Sequence, residues 1–337
     1  MWQARRLAPF FLLLVILEGT MLSVHLDAGR VEVRQIQQPE RPQGFAFIRL
    51  IQAGICNTDL ELRRGYYGFS GVPGHEFVGE VVEADTKDLI GKRVVGEINI
   101  ACNTCSWCRR GLGRHCPSRS VLGIVQHPGA FCEFLTLPER NLHVVPDSIP
   151  TEVAVFTEPV AAACEILEQV QMPCSSPVAV LGDGKLGLLI AQVLQANGHR
   201  VHQFGRHPEK LKVAAKAGVT TEIRGAHLPE AAYRWVVDAT GSKEGLHAAI
   251  RMVEPRGTLI MKSTVHGEIP IDTAPVIVNE ITLVGSRCGR FEPALELLQL
   301  GAIDVTSMIS DRVPLANAPA AFDRAGQRGA LKVLLSN

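Results

Sequence analysis

The chain has 337 residues, more than one ordinary core accommodates and enough for two lobes. Its 34 Lys and Arg balance 34 Asp and Glu, so no net field draws it to a phosphate backbone or an anionic membrane surface, and small molecules are the expected ligands. Nine cysteines make an odd count, and four fall within residues 102–116, which argues for reduced thiols, metal and a cytosolic setting over a disulfide framework.

Arg5 and Arg6 precede an apolar run at 7–17, which has the shape of a secretory signal. The run is too short to span a bilayer, and no small-x-small cleavage pattern follows it. Met21 immediately precedes the first strand-like stretch, so residues 1–20 read as a mis-assigned start, with an export or anchor signal as the alternative. From 31 to about 145, short β-rich runs such as 45–51 and 77–82 are broken by Gly, Pro and Asn, the texture of an irregular β-barrel. From Pro177 apolar strands alternate with amphipathic helices: 178–181, a helix at 185–197, 200–204, a helix at 208–217, then strands at 235–239, 257–262 and 281–284. Such alternation specifies a parallel, doubly wound sheet and an α/β fold class. The tail from Phe291, a helix followed by short strands, is long enough to return to the first lobe. The expected divisions are 1–20, 21–150, 151–287 and 288–337.

Three constellations carry chemistry. Cys102, Cys105, Cys108 and Cys116 are spaced C-x-x-C-x-x-C with the fourth seven intervening residues later, and four thiolates on one loop can close a tetrahedral shell around a structural Zn²⁺. A nucleic-acid-binding zinc ribbon fits less well, for want of net positive charge and of a second C-x-x-C pair. Cys56, His75 with Glu76 between Gly74 and Gly79, and Glu158 before Pro159 supply a thiolate, an imidazole and carboxylates, enough to hold a catalytic zinc with one position open. The alternative for Glu158 is the acidic start of a helix. Finally, Gly182-Asp183-Gly184-Lys185-Leu186-Gly187 follows an apolar strand and opens a helix. The first glycine makes the turn, the second admits a pyrophosphate, the third packs helix on strand, and the helix N-terminus faces the phosphates.

Taken in order, these motifs resemble the zinc-containing medium-chain dehydrogenase/reductase family, over everything from about Met21 onward. The resemblance implies a GroES-like catalytic lobe, completed by the C-terminal segment, around a Rossmann lobe. It implies catalytic zinc on Cys56, His75 and Glu158, the last as in the polyol and threonine dehydrogenase branch. Glu76 then matches a carboxylate beside the metal, Thr58 the hydroxyl of a proton relay, and Asp59 the acid that orients the zinc-bound histidine. Where many alcohol dehydrogenases carry an outer relay histidine, this chain has Glu61. Thr240, Gly241 and Ser286 fall in loops that resemble the nicotinamide pocket. The activity implied is hydride transfer between an alcohol and NAD(P), by a homodimer or homotetramer. A zinc-free quinone or enone reductase and a non-catalytic relative are the alternatives.

The strand before Gly205-Arg206-His207 ends without the acid that NAD-specific lobes use to hold the ribose hydroxyls. Gly205 is expected to leave space for a 2′-phosphate and Arg206 to bind it, with His207 and Lys210 adding charge, which favours NADP.

Overall fold

A computed structural model describes residues 19–225, 227–263 and 268–337. The apolar run at 7–17 lies outside the described residues. Among them, no helix is long and apolar enough to cross a membrane.

The chain starts with an antiparallel hairpin, Thr20–Asp27 against Arg30–Gln37. The first strand buries Met21, Ser23, Val24 and Leu26 against the β-rich lobe. The central strand of that lobe, Phe45–Gly54, pairs antiparallel with Glu76–Glu83 and Phe134–Pro138. It also pairs with Lys332–Ser336, beside which Ile309–Pro314 runs parallel. Strands from the chain's last thirty residues thus complete the sheet begun by its first hundred.

The second lobe holds six parallel strands in the order Thr220–Ile223, Arg200–Gly205, Pro177–Leu181, Tyr233–Asp238, Val253–Met261, Thr282–Gly285. The strand order reverses between Pro177–Leu181 and Tyr233–Asp238. In open parallel sheets a ligand crevice forms at that switch, outside the carboxyl ends of the strands. Helix Lys185–Ala196 buries Leu188, Leu189, Ile190, Val193 and Leu194 on the sheet, and lies against helix Thr157–Gln169. Strand Thr220–Ile223, largely exposed at the sheet edge, is too short and too polar to announce itself in sequence.

A three-stranded ribbon of Asn99–Ile100, Ser120–Leu122 and Gln126–His127 flanks the segment that carries the four clustered cysteines.

Candidate active site

Cys56 caps helix Asn57–Arg63 in extended backbone, and its N–H donates to Asp59 Oδ2 at 2.8 Å. The other oxygen of Asp59 accepts from Gly74 N at 3.1 Å and lies 3.6 Å from His75 Nδ1. One buried carboxylate therefore registers two separate segments against each other. Gly74 has φ +102°, and a Cβ there would sit 2.4 Å from the Phe131 ring, so the backbone reaches His75 through a conformation and a space that only glycine fits. Strand Glu76–Glu83 begins at the next residue.

This folding brings ligand atoms of Cys56, His75 and Glu76 within 4.8 Å of one another, the last two buried. Glu158, in the first turn of helix Thr157–Gln169, is not one of that tight group. Its field nevertheless acts on His75, and burial pushes its own pKa up while His75 pulls it down. Burial opposes a charge on His75, yet the anionic field of Asp59, Cys56 and Glu158 holds its pKa well above the usual histidine value. A thiol, an imidazole and the Glu76 carboxylate thus share one point, with Glu158 close enough for its charge to act there, and a divalent cation is the species this donor set fits. Asp59 stands at the imidazole nitrogen where an orienting carboxylate belongs.

Sequence reasoning missed Lys332, a fully buried lysine at the start of the apolar strand Lys332–Ser336. It makes an ion pair with Glu76, and its Nζ lies 5.3 Å from the centre of the Phe156 ring. Burial works against its charge, but Glu76, Cys56 and Glu158 raise its pKa above the ordinary lysine value. Lys332→Met leaves Glu76 buried without its partner and is expected to cost about 3–5 kcal/mol of stability, with partial recovery in Lys332→Met/Glu76→Gln. Chemical denaturation of the two variants measures both. A charged residue in an otherwise buried strand is the signal that could have found Lys332.

Thr58 Oγ1 lies 3.8 Å from Cys56 Sγ, at the edge of the cluster. Glu61 is tied to Arg64 at 2.5 Å, which engages its carboxylate.

The four clustered cysteines converge, with Sγ–Sγ separations of 3.9 Å (Cys102–Cys108), 3.4 Å (Cys105–Cys108), 3.8 Å (Cys105–Cys116) and 3.5 Å (Cys102–Cys116). A tetrahedral zinc with Zn–S bonds of about 2.3 Å spaces its sulfurs by about 3.8 Å, so the four thiols fit that ion.

The glycine motif has the geometry its residue types require. Gly182 has φ +122° and approaches the Ala239 carbonyl so closely that a Cβ would lie 2.5 Å from it. Gly187 is similarly pressed on the Gly182 carbonyl, whereas Gly184 is exposed with open space above it. Leu186 packs on the core. The Lys185 side chain turns away from the loop it follows: its Nζ donates to the Ile55 carbonyl at 3.1 Å, next to Cys56. Thr240 N and Oγ1 donate to Asp238 Oδ1, Gly241 N donates to Ser263 Oγ, and Ser286 Oγ accepts from Lys262 Nζ. All lie at the carboxyl ends of the parallel strands. Lys262, also missed in sequence, follows the buried strand Val253–Met261; burial lowers its pKa to about 8.

One expectation is overturned. The room above Gly205 is filled: a Cβ there would lie 2.6 Å from Asp183 Cβ and 2.7 Å from Asp183 Oδ2. Arg206 is exposed, His207 caps helix Pro208–Lys216, and Lys210 lies in that helix's first turn.

Two family models match the chain, the alcohol dehydrogenase GroES-like domain at residues 42–147 and zinc-binding dehydrogenase at 186–302. The chain is 29% identical over 309 residues to a D-altritol 5-dehydrogenase of Agrobacterium fabrum, covering 86% of this chain and 91% of that protein. It is 31% identical over 326 residues to an L-threonine 3-dehydrogenase of Streptomyces avermitilis, covering 89% and 94%. The solved alcohol dehydrogenase of Thermus sp. ATN1 superposes with a TM-score of 0.86 at 30% identity, over 94% of this chain and 99% of that one. The chain belongs to the zinc-type medium-chain dehydrogenase/reductase family, in its polyol and threonine dehydrogenase branch.

Proposed function

We propose that the chain interconverts a small polyol or amino alcohol and its carbonyl compound, with zinc held by Cys56, His75 and Glu158 and a nicotinamide dinucleotide seated on the Gly182–Gly187 loop. The observation that carries this reading is the hydrogen bond from Lys185 Nζ to the Ile55 carbonyl, which abuts the glycine loop on the thiol–imidazole–carboxylate cluster. A hydride acceptor and a metal are thereby brought to one cleft. When bound, zinc supplies Lewis acidity that lowers the pKa of an alcohol, and the nicotinamide accepts the hydride.

The chain's own residues do the positioning. Asp59 holds the Cys56 and Gly74 backbones and faces the His75 ring. Lys332 neutralises Glu76, so that Glu76 stays beside the cluster without adding an uncompensated charge. Thr58 Oγ1 takes the substrate hydroxyl proton outward. Substrate choice follows the relatives, whose names point to polyols and to threonine. A panel of such alcohols, with enones and quinones beside them, assayed with NAD(P) or NAD(P)H at the nicotinamide absorbance, tests the assignment; turnover restricted to the enones or quinones would replace it with the zinc-free reductase reading.

Glu158→Gln is expected to lower turnover or catalytic-site zinc at least about tenfold while moving the melting temperature by no more than a few degrees, since the residue is a ligand and not part of the packing. Normal turnover with normal zinc content would return Glu158 to the role of a helix-start acid. The Cys102–Cys116 cluster is proposed to hold a second zinc, giving two per chain. A homodimer or homotetramer is supported by the exposed edge strand Thr282–Gly285, beside which Ile277 and Val278 stand 70% and 78% exposed, and the metal-like spacing of Cys102, Cys105, Cys108 and Cys116 favours a reducing, cytoplasmic setting.

A further inference from the structure

Asp183 sits between the first two glycines of the motif, where its side chain, 10% exposed, reaches the end of strand Arg200–Gly205. Its Oδ2 accepts from Arg206 N at 2.7 Å and His207 N at 2.6 Å, and lies 3.0 Å from His207 Nδ1. Two backbone N–H groups, an imidazole and the start of a nine-residue helix form an anion hole. The protein fills that hole with its own carboxylate. Arg206 rims it, and so does Arg224, whose backbone N–H donates to the Gly205 carbonyl at 2.6 Å and whose guanidinium lies within the field of Arg206.

A dinucleotide with its pyrophosphate on the glycine loop lays its adenosine ribose at this strand end. Building on the cofactor site proposed above, we infer that Asp183 is the residue that selects the cofactor, accepting the ribose 2′-hydroxyl in NAD and excluding the 2′-phosphate of NADP. Asp183 Oδ1 makes no hydrogen bond among the described residues and is available to a hydroxyl donor. A 2′-phosphate would bring nearly two negative charges against this carboxylate, with the backbone donors it needs already engaged. The acid that other lobes place at the strand end is delivered here from the glycine loop, over the bare backbone of Gly205. With Asp183 removed, the freed N–H groups of Arg206 and His207 would become available to a 2′-phosphate.

The test is direct binding of NADH and NADPH, without substrate, by the change in nicotinamide fluorescence. The wild type is expected to bind NADH at least about 100-fold more tightly, the size of a several-kcal/mol like-charge penalty. Asp183→Asn, which keeps shape and an acceptor but loses the charge, is expected to shrink the ratio at least about tenfold. Asp183→Ala is expected to favour NADPH, and Arg206→Ala added to it to cancel that gain. Equal or tighter NADPH binding by the wild type, or an unchanged ratio in Asp183→Asn, overturns the inference and leaves the dehydrogenase reading standing. Binding of neither nucleotide overturns both. Should Asp183 variants fail to fold, competition of 2′,5′-ADP and 5′-AMP against NADH on the wild type decides, with 5′-AMP expected to compete the better and the reverse order contradicting the inference.

Discussion

Cys56→Ala is expected to lower kcat/KM about 1,000-fold or more while the protein stays folded. The thiol is half-buried at a helix start, 3.8 Å from Thr58 Oγ1 and within 4.8 Å of the ligand atoms of His75 and Glu76, and its removal leaves no large cavity. Its backbone N–H still donates to Asp59, which preserves the registration of the two ligand segments. What is lost is one ligand of a Lewis-acid centre worth several kcal/mol to the developing alkoxide, and each 1.36 kcal/mol is tenfold in rate. Steady-state kinetics beside a thermal melt measures both quantities. A variant with a normal melt and normal turnover would remove Cys56 from the site.

The second large effect is of the opposite kind. Cys116→Ser is expected to abolish soluble expression or to lower the melting temperature by at least about 10 °C, with zinc content falling by one per chain. Cys116 is fully buried, with its sulfur 3.5 Å from Cys102 and 3.8 Å from Cys105. The lobe around it offers little else: its helices Ser106–Arg109 and Gly113–His115 bury no side chain, and Trp107 and Leu112 are exposed. A four-thiolate zinc contributes its binding free energy to folding directly, on the order of the net stability of a whole domain. Calorimetry and elemental analysis of the purified variant check the two halves of this expectation. Unchanged stability with unchanged zinc would mean that the four cysteines hold no metal.

The alternation of strands and helices after Pro177 was legible because buried parallel strands must be continuously apolar, and helix bounds fell within a residue or two of Lys185–Ala196 and Pro208–Lys216. The convergence of Cys102, Cys105, Cys108 and Cys116, and of Cys56 with His75 and Glu76, was legible because thiol, imidazole and glycine are costly choices without a purpose, whereas Glu158 stands apart from the second group. Sequence could not show that a carboxylate from the glycine loop occupies the space over Gly205, because that contact joins residues 22 positions apart through strand pairing of Pro177–Leu181 with Arg200–Gly205. Nor could it show the Lys332–Glu76 pair, which closes only when the last strand lies beside Phe45–Gly54. Local pattern reports what a segment needs; the partner that satisfies the need is fixed by topology.

The proposed reaction is oxidation of an alcohol with a nicotinamide acceptor at a zinc held by Cys56, His75 and Glu158. Initial rates of nicotinamide reduction should therefore be measured with polyols and amino alcohols on protein of known zinc content, before and after removal of the metal by a chelator. The expected result is reduction with at least one alcohol, lost on chelation and restored by added zinc. No reduction with any alcohol by protein carrying two zinc per chain, or an undiminished rate in the zinc-free protein, would contradict it.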